Sequence, residues 1–281
     1  MDASRRTTSL MAALLASTLS VLALTGCGQR TEIAATDAPI TASTLPAAVT
    51  VPQLSGTLKI FAAASLATVL ADLAREFEAE HPALTVAPIV ADGSSTLATQ
   101  LIGGAQADVF LSADEATMKK VTDASFATTP VKVATNTLQI AVAPGNPRGI
   151  TSLASLADGT RGDLLVVLCQ AQVPCGSASH KLLAALGITL TPASEEENVS
   201  AVLAKVKSGE ADAGLVYATD VAAAGGAVTG VPIPGADAAR TTAVGVALSH
   251  AANADAAAAF LVFLTGAKAQ QVLASAGFGA P

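Results

Sequence analysis

From Gly56 to the C-terminus, short β-rich runs alternate with stretches of helical period, and this alternation admits only a few architectures. "TLKIFAA" reads as a buried strand. The helix after it places Leu66, Val69, Leu70, Leu73 and Phe77 on one stripe, and His81-Pro82 stops it. "LTVAPIV" predicts the next strand, followed by a helix from Ser94 or Ser95 to about Ile102. "ADVFLSAD" predicts a strand and a helix start at Asp114, and further strands fit "TLQIAVAP", "DLLVVL", "AGLVY", "AVTGVPI" and "TAVGVALS". Such alternation argues for α/β architecture with mainly parallel sheets. Ligands of these sheets bind beyond the carboxyl ends of the strands, where helices begin.

The N-terminus sets the compartment. Arg5 and Arg6 precede an uncharged run from Thr7 to Gly26 that ends in Leu24-Thr25-Gly26-Cys27, the layout of an export signal. It resembles the lipobox of bacterial lipoproteins, which implies cleavage after residue 26 and acylation of Cys27. The run also approaches the roughly 20 residues of a membrane span, but the small residues directly before Cys27 favour the lipobox. Under either reading the rest of the chain lies outside the cytoplasm, on the extracytoplasmic face of the cell membrane. Without residues 1–26 the chain keeps 13 basic and 21 acidic residues, a net charge of −8, which makes a poor nucleic-acid binder. Residues 27–55 are rich in Ala, Thr and Pro without sustained period and read as a flexible linker. Roughly 225 residues remain for one large domain or two smaller ones.

Three strand-to-helix turns invite close reading: Ala63-Ala64-Ser65-Leu66, Ala91-Asp92-Gly93-Ser94-Ser95-Thr96-Leu97, and the loop "LCQAQVPCGSASH". Small residues let another group approach the backbone, and a serine can donate both amide and hydroxyl hydrogens. Each turn could hold an anion on the free N–H groups of a helix start, although a serine there is more often an ordinary N-cap.

"TLKIFAAASLATVLADLAREFE", "GSSTLATQLIGGAQADVFLSAD" and "GEADAGLVYATD" resemble the periplasmic molybdate-binding proteins of ABC transporters, in order and over nearly all of the chain from about Lys59. The resemblance implies a two-lobed type II solute-binding fold closing on a tetrahedral oxyanion. Lobe 1 would hold residues 56–135 and 234–281, and lobe 2 residues 136–233, with chain crossings near Asn136 and near Pro232 to Pro234. It implies hydroxyl and amide donation from Ser65 and Ser94, backbone amides from Cys175 and Val199, and the phenol of Tyr217, the only tyrosine in the chain. Without the resemblance, Tyr217 reads as a core aromatic whose hydroxyl reaches the surface. It further implies a monomer that needs no cofactor, takes molybdate or tungstate as ligand and delivers it to a membrane permease.

The chain departs from the family pattern at two places. The family usually reads Pro-Ala-Gly followed by a tyrosine two positions on; here the segment is Pro174-Cys175-Gly176-Ser177-Ala178. An amide contact tolerates Cys175, whereas the missing aromatic at Ala178 bears on packing. Before Val199 the family often has Asp, and here stands Asn198, which removes a negative charge and keeps a capping side chain.

Molybdate, tungstate and sulfate are fully deprotonated at neutral pH, so a lining of donors alone suits them. Monohydrogen phosphate wants an acceptor as well, and a donor facing its proton costs roughly 1–3 kcal/mol. Donors alone do not separate molybdate from sulfate, so a sulfate-binding or other oxyanion-binding protein is the alternative. Arg161 and Lys181 read as solvated charges outside the set. A secreted hydrolase would need a base beside one of the serines; the histidines are His81, His180 and His250, and no G-x-S-x-G elbow occurs. Cys169, Cys175 and His180 lack zinc-ligand spacing, and the five residues between the cysteines are not the C-x-x-C of a thiol oxidoreductase. With Cys27 assigned to lipid, Cys169 and Cys175 form an even pair in an exported domain, for which a disulfide is the default.

Overall fold

The first apolar runs fold as β1 (Gly56–Leu58), β2 (Ile60–Ala63), α1 (Ala67–Glu80), β3 (Leu84–Val86), β4 (Val90–Asp92), α2 (Ser94–Ile102), β5 (Val109–Ser112), α3 (Glu115–Asp123) and β6 (Val131–Asn136). The chain continues through β7 (Leu138–Val142), α4 (Ala154–Ala157), β8 (Val166–Cys169), α5 (Pro174–Ala185), β9 (Ser194–Glu196), α6 (Val199–Ser208), β10 (Ala213–Tyr217), α7 (Ala218–Ala223) and β11 (Thr229–Pro232). It ends in β12 (Thr241–Ala247), α8 (Ala254–Thr265) and α9 (Ala267–Ser275). This is a computed structural model that describes residues 53–157 and 164–281. The signal segment, Cys27, most of the linker and Arg161 lie outside the described residues.

The apolar stripe of α1 is buried as its spacing predicts, with Leu66 in a 3-10 turn just ahead of the helix. "TLKIFAA" is two strands instead of one. The amide of Lys59 donates to the Asp108 carboxylate at 2.7 Å, which interrupts the ladder between β1 and β2. "LTVAPIV" likewise divides into β3 and β4 around Pro88, which has no N–H to offer a ladder. Strands β6 and β9 have no counterpart among the predicted runs. Leu54, placed in the linker by composition, packs against the core, and the Ser55 carbonyl accepts from the Asn253 amide group at 2.8 Å.

Two five-stranded sheets share one layout. The first runs β4-β2-β5-β12-β6 and the second β9-β8-β10-β7-β11, with β1 and β3 forming a small separate pair. In each sheet four strands point the same way and the fourth in the order, β12 or β7, is reversed. The connections explain the reversal. Only Thr137 separates the end of β6 from the start of β7, so β7 enters the second sheet from the side where the strands of the first sheet end. A strand entering there must run against its neighbours. The return from β11 to β12 does the same for the first sheet. The carboxyl ends of both sets of parallel strands therefore face each other, and the turns that carry Ser65, Ser94, Cys175 and Val199 lie between the sheets.

The first sheet is buried on both faces. Ile60, Ala62, Val109 and Leu111 pack with α1 and α8, while Phe61, Phe110, Val244 and Val246 pack with α2 and α3, the two-residue alternation of strands. Helices on both faces explain why the strands read as nearly unbroken apolar runs. The second sheet has its own core around Leu138, Ile140, Val167, Leu182, Val202 and Leu215. Among the described residues no single helix is long and apolar enough to cross a membrane.

Candidate functional site

Each residue of the predicted ligand set lies just past the carboxyl end of a strand, or at that end. Ser65 sits in the 3-10 turn after β2, and Ser94 opens α2 after β4. Cys175 is the second residue of α5 after β8, Val199 opens α6 after β9, and Tyr217 closes β10. The structure brings all five to one cavity between the sheets, which Gly93, Ala113, Pro174 and Asn198 also line. Tyr217, Ser94, Cys175 and Val199 are 1–3% exposed, and Ser65 is half-buried. The cavity measures about 20 Å³, far below the ~300–1,000 Å³ of pockets for drug-sized ligands. A surface groove of about 310 Å³ between α1, α7 and α9 is larger, but Ser65 is its one contribution from the predicted set.

The cavity lining combines hydroxyl and amide donors with small or apolar side chains such as Ala63, Ala64, Val173 and Pro174. The amides of Ser94, Cys175 and Val199 lie in first helical turns, where the helix supplies no acceptor and its dipole is positive. The Ser94 hydroxyl accepts from the Ala113 amide at 3.0 Å, which leaves its own hydrogen to donate. The Tyr217 hydroxyl is buried and makes no hydrogen bond of ordinary geometry, with the Thr241 side chain beside it. Burial holds that phenol far above the ordinary tyrosine range, with a hydrogen-bonding interaction from the Thr241 side chain acting the other way and Asp114 and Asp220 adding to the rise. It is neutral and a donor at any working pH. Among the described residues no charged side chain lines the cavity, so an anion would be held by oriented amides and hydroxyls.

The second-sheet loop is tightly specified. A disulfide joins Cys169, the last residue of β8, to Cys175. The Gln170 amide donates to the Glu196 carbonyl at 2.9 Å, and the backbone of Gln170 lies against Gly176 so closely that a β-carbon there would collide with it. Ala178, where the family pattern has an aromatic, is buried in the core of the second sheet.

The sheets also touch directly beside the cavity. Asn198 Nδ2 donates to Asp92 Oδ1 at 2.7 Å, and the Ser95 hydroxyl donates to the Gln172 carbonyl at 2.9 Å. A β-carbon on Gly93 would stand 2.6 Å from the Glu197 carbonyl oxygen. Asp92 carries no signal of this role in its own turn, because its partner lies 106 positions away, beyond any local pattern. Lys181 is exposed on α5. None of the three histidines lines the cavity: His81 packs edge-on to Phe77, His250 edge-on to Phe126, and His180 is exposed. Among the described residues no His, Cys, Asp and Glu cluster could hold a metal ion.

Behind Tyr217, the buried Asp220 carboxylate accepts from the Tyr217 amide at 2.9 Å. Burial pushes its pKa up to about 7, and that hydrogen bond offsets part of the rise. The folded protein therefore keeps the Asp220 proton up to about pH 7, whereas the unfolded chain loses it near 3.8. Stability contributed by this group falls as pH rises between those values and is level above them, by up to about 1.4 kcal/mol for each pH unit. Asp220→Asn is expected to flatten that part of the melting-temperature profile; an unchanged slope would show that another group causes it.

A family model described as bacterial extracellular solute-binding protein matches residues 58–279. The chain is 40% identical to the molybdate-binding protein ModA of Mycobacterium tuberculosis over 95% of its own length and 97% of the relative's. Among solved structures, the periplasmic molybdate-binding protein of Azotobacter vinelandii superposes with a TM-score of 0.66 at 23% identity, over 80% of this chain and 99% of that one. The sulfate-binding protein SubI of Mycobacterium tuberculosis also reaches 0.66, at 17% identity, over 79% of this chain and 86% of that one. These two structural likenesses speak to the fold alone.

Proposed function

Since the chain belongs to the bacterial extracellular solute-binding protein family, we propose that it captures molybdate, and tungstate with it, outside the cytoplasm and delivers the anion to an ABC importer. One observation carries this reading: a small cavity between the sheets at which three helix N-termini meet and which Ser65, Ser94 and the buried Tyr217 line together. A fully deprotonated tetrahedral oxyanion supplies acceptors in four directions and nothing else. Ser65, Ser94 and Tyr217 donate from side chains, and Ser94, Cys175 and Val199 donate from the backbone. The 40% identity to a protein named for molybdate favours that ion over sulfate, which the donor set would also accept.

Delivery follows from closure. The lobes, residues 56–135 with 234–281 and residues 136–233, shut over the anion, and the closed form presents both to the permease. The protein acts as a monomer, tethered through acylated Cys27 with residues 27–55 as its reach from the membrane. Mass spectrometry of membrane-extracted protein reads the anchor directly; an unmodified Cys27 or an uncleaved N-terminus would remove it. For the ligand, molybdate at 100 times its dissociation constant should stabilise the fold by about 2.7 kcal/mol. A melting temperature that none of molybdate, tungstate or sulfate raises would contradict capture of an oxyanion.

A further inference from the structure

We propose that Asp92 and Asn198 form a latch that sets how long the protein stays closed, a reading that rests on the capture function above and adds the device that governs release. The two side chains come from opposite sheets and meet at 2.7 Å, Asn198 Nδ2 donating to Asp92 Oδ1. Neither is free to turn away. Asn198 Oδ1 accepts from the Ala201 amide at 2.9 Å as the N-cap of α6, which fixes the orientation of its amide group. Asp92 Oδ1 accepts from the Gly93 amide at 2.6 Å as well.

Position gives the contact its consequence. Asp92 stands two residues before Ser94, and Asn198 immediately before Val199, so the latch joins the two turns that carry ligand donors from opposite sheets. Gly93 lets those turns approach, since a β-carbon there would meet the Glu197 carbonyl. Closing the latch thus brings the N-termini of α2 and α6 to the same cavity. The charge at this contact is also set. Asp92 is a carboxylate beside an anion site, and its charge faces two N–H donors. A second carboxylate at position 198 would keep the helix cap but turn the contact into a like-charge pair, which opposes closure. Affinity falls in proportion to the closed fraction available to the ligand.

The test uses the mature protein, Asn198→Asp, and the double variant Asn198→Asp with Asp92→Asn, which restores one amide and one carboxylate in exchanged places. Small-angle scattering of the ligand-free proteins reads closure without any anion, and calorimetry with molybdate reads affinity. Asn198→Asp should expand the ligand-free protein and weaken molybdate binding about tenfold or more, within the usual range for coupling between two states. The double variant should recover the compact profile and most of the affinity. The latch is overturned if Asn198→Asp matches the parent in both measurements, or if the double variant remains as open and as weak as the single one. Failure of the parent to bind molybdate would overturn the capture function instead, and the scattering comparison would still decide the latch.

Discussion

Tyr217→Phe should weaken molybdate binding by about 10- to 100-fold while leaving the protein folded. Phenylalanine keeps the ring in the core of the second sheet and removes only the hydroxyl. Under the proposed function the hydroxyl donates to the bound anion, a charge-assisted bond worth about 1.5–3 kcal/mol, and each 1.4 kcal/mol is a factor of ten in affinity. A hydroxyl that served only packing would leave the affinity unchanged. Melting curves and calorimetry on the same two proteins separate the cases.

Gly176→Ala should damage both stability and binding. A methyl group at this position in the first turn of α5 would fall on the Gln170 carbonyl and close to that of Cys169, both backbone atoms of the disulfide loop. Neither can yield alone, because the bridge ties Cys169 to Cys175 and the Gln170 amide is bonded to Glu196. Overpacking of this kind costs about 1–3 kcal/mol, or about 2–4 °C of melting temperature for each kcal/mol at this chain length. The displaced loop takes the Cys175 amide with it, so affinity falls too. Opening the bridge by Cys169→Ser with Cys175→Ala is the milder comparison. Closing so short a loop is worth only about 2 kcal/mol by chain entropy, and the protein should fold, with weaker binding because the amide of residue 175 is no longer held in place. A normal affinity in the double variant would reduce the bridge to a staple, and a normal melting temperature for Gly176→Ala would refute the close packing of the loop.

Much of the fold can be read from local pattern, and the exceptions share a cause. The α1 stripe and strands such as β5 and β10 carry enough apolar side chains in the right period to be assigned from sequence. β9 is three residues of Ser and Glu at a sheet edge, paired only with β8, and nothing in its composition announces a strand. The division of the first predicted strand depends on Asp108, which is 49 positions from Lys59 and accepts from both its amide and that of Asn253. The single reversed strand in each sheet follows from where the chain crosses between sheets, a property of connectivity that no window of sequence contains.

At the site, small residues at helix starts are visible in the sequence, and the resemblance selected five positions that the structure places around one cavity. The residues that hold those turns against each other were not visible as such. Asn198 stood out as a departure from the family pattern, but its partner Asp92 could be found only in three dimensions. The role of Gly93 is similar, because the Glu197 carbonyl that excludes a side chain there belongs to the other sheet.

Calorimetric titration of one preparation with molybdate, tungstate, sulfate and phosphate tests the central claim most directly. Molybdate and tungstate should each bind one site per chain and more tightly than sulfate, and phosphate above neutral pH should give no binding heat. Preference for sulfate over molybdate, or binding by none of the four, would contradict it.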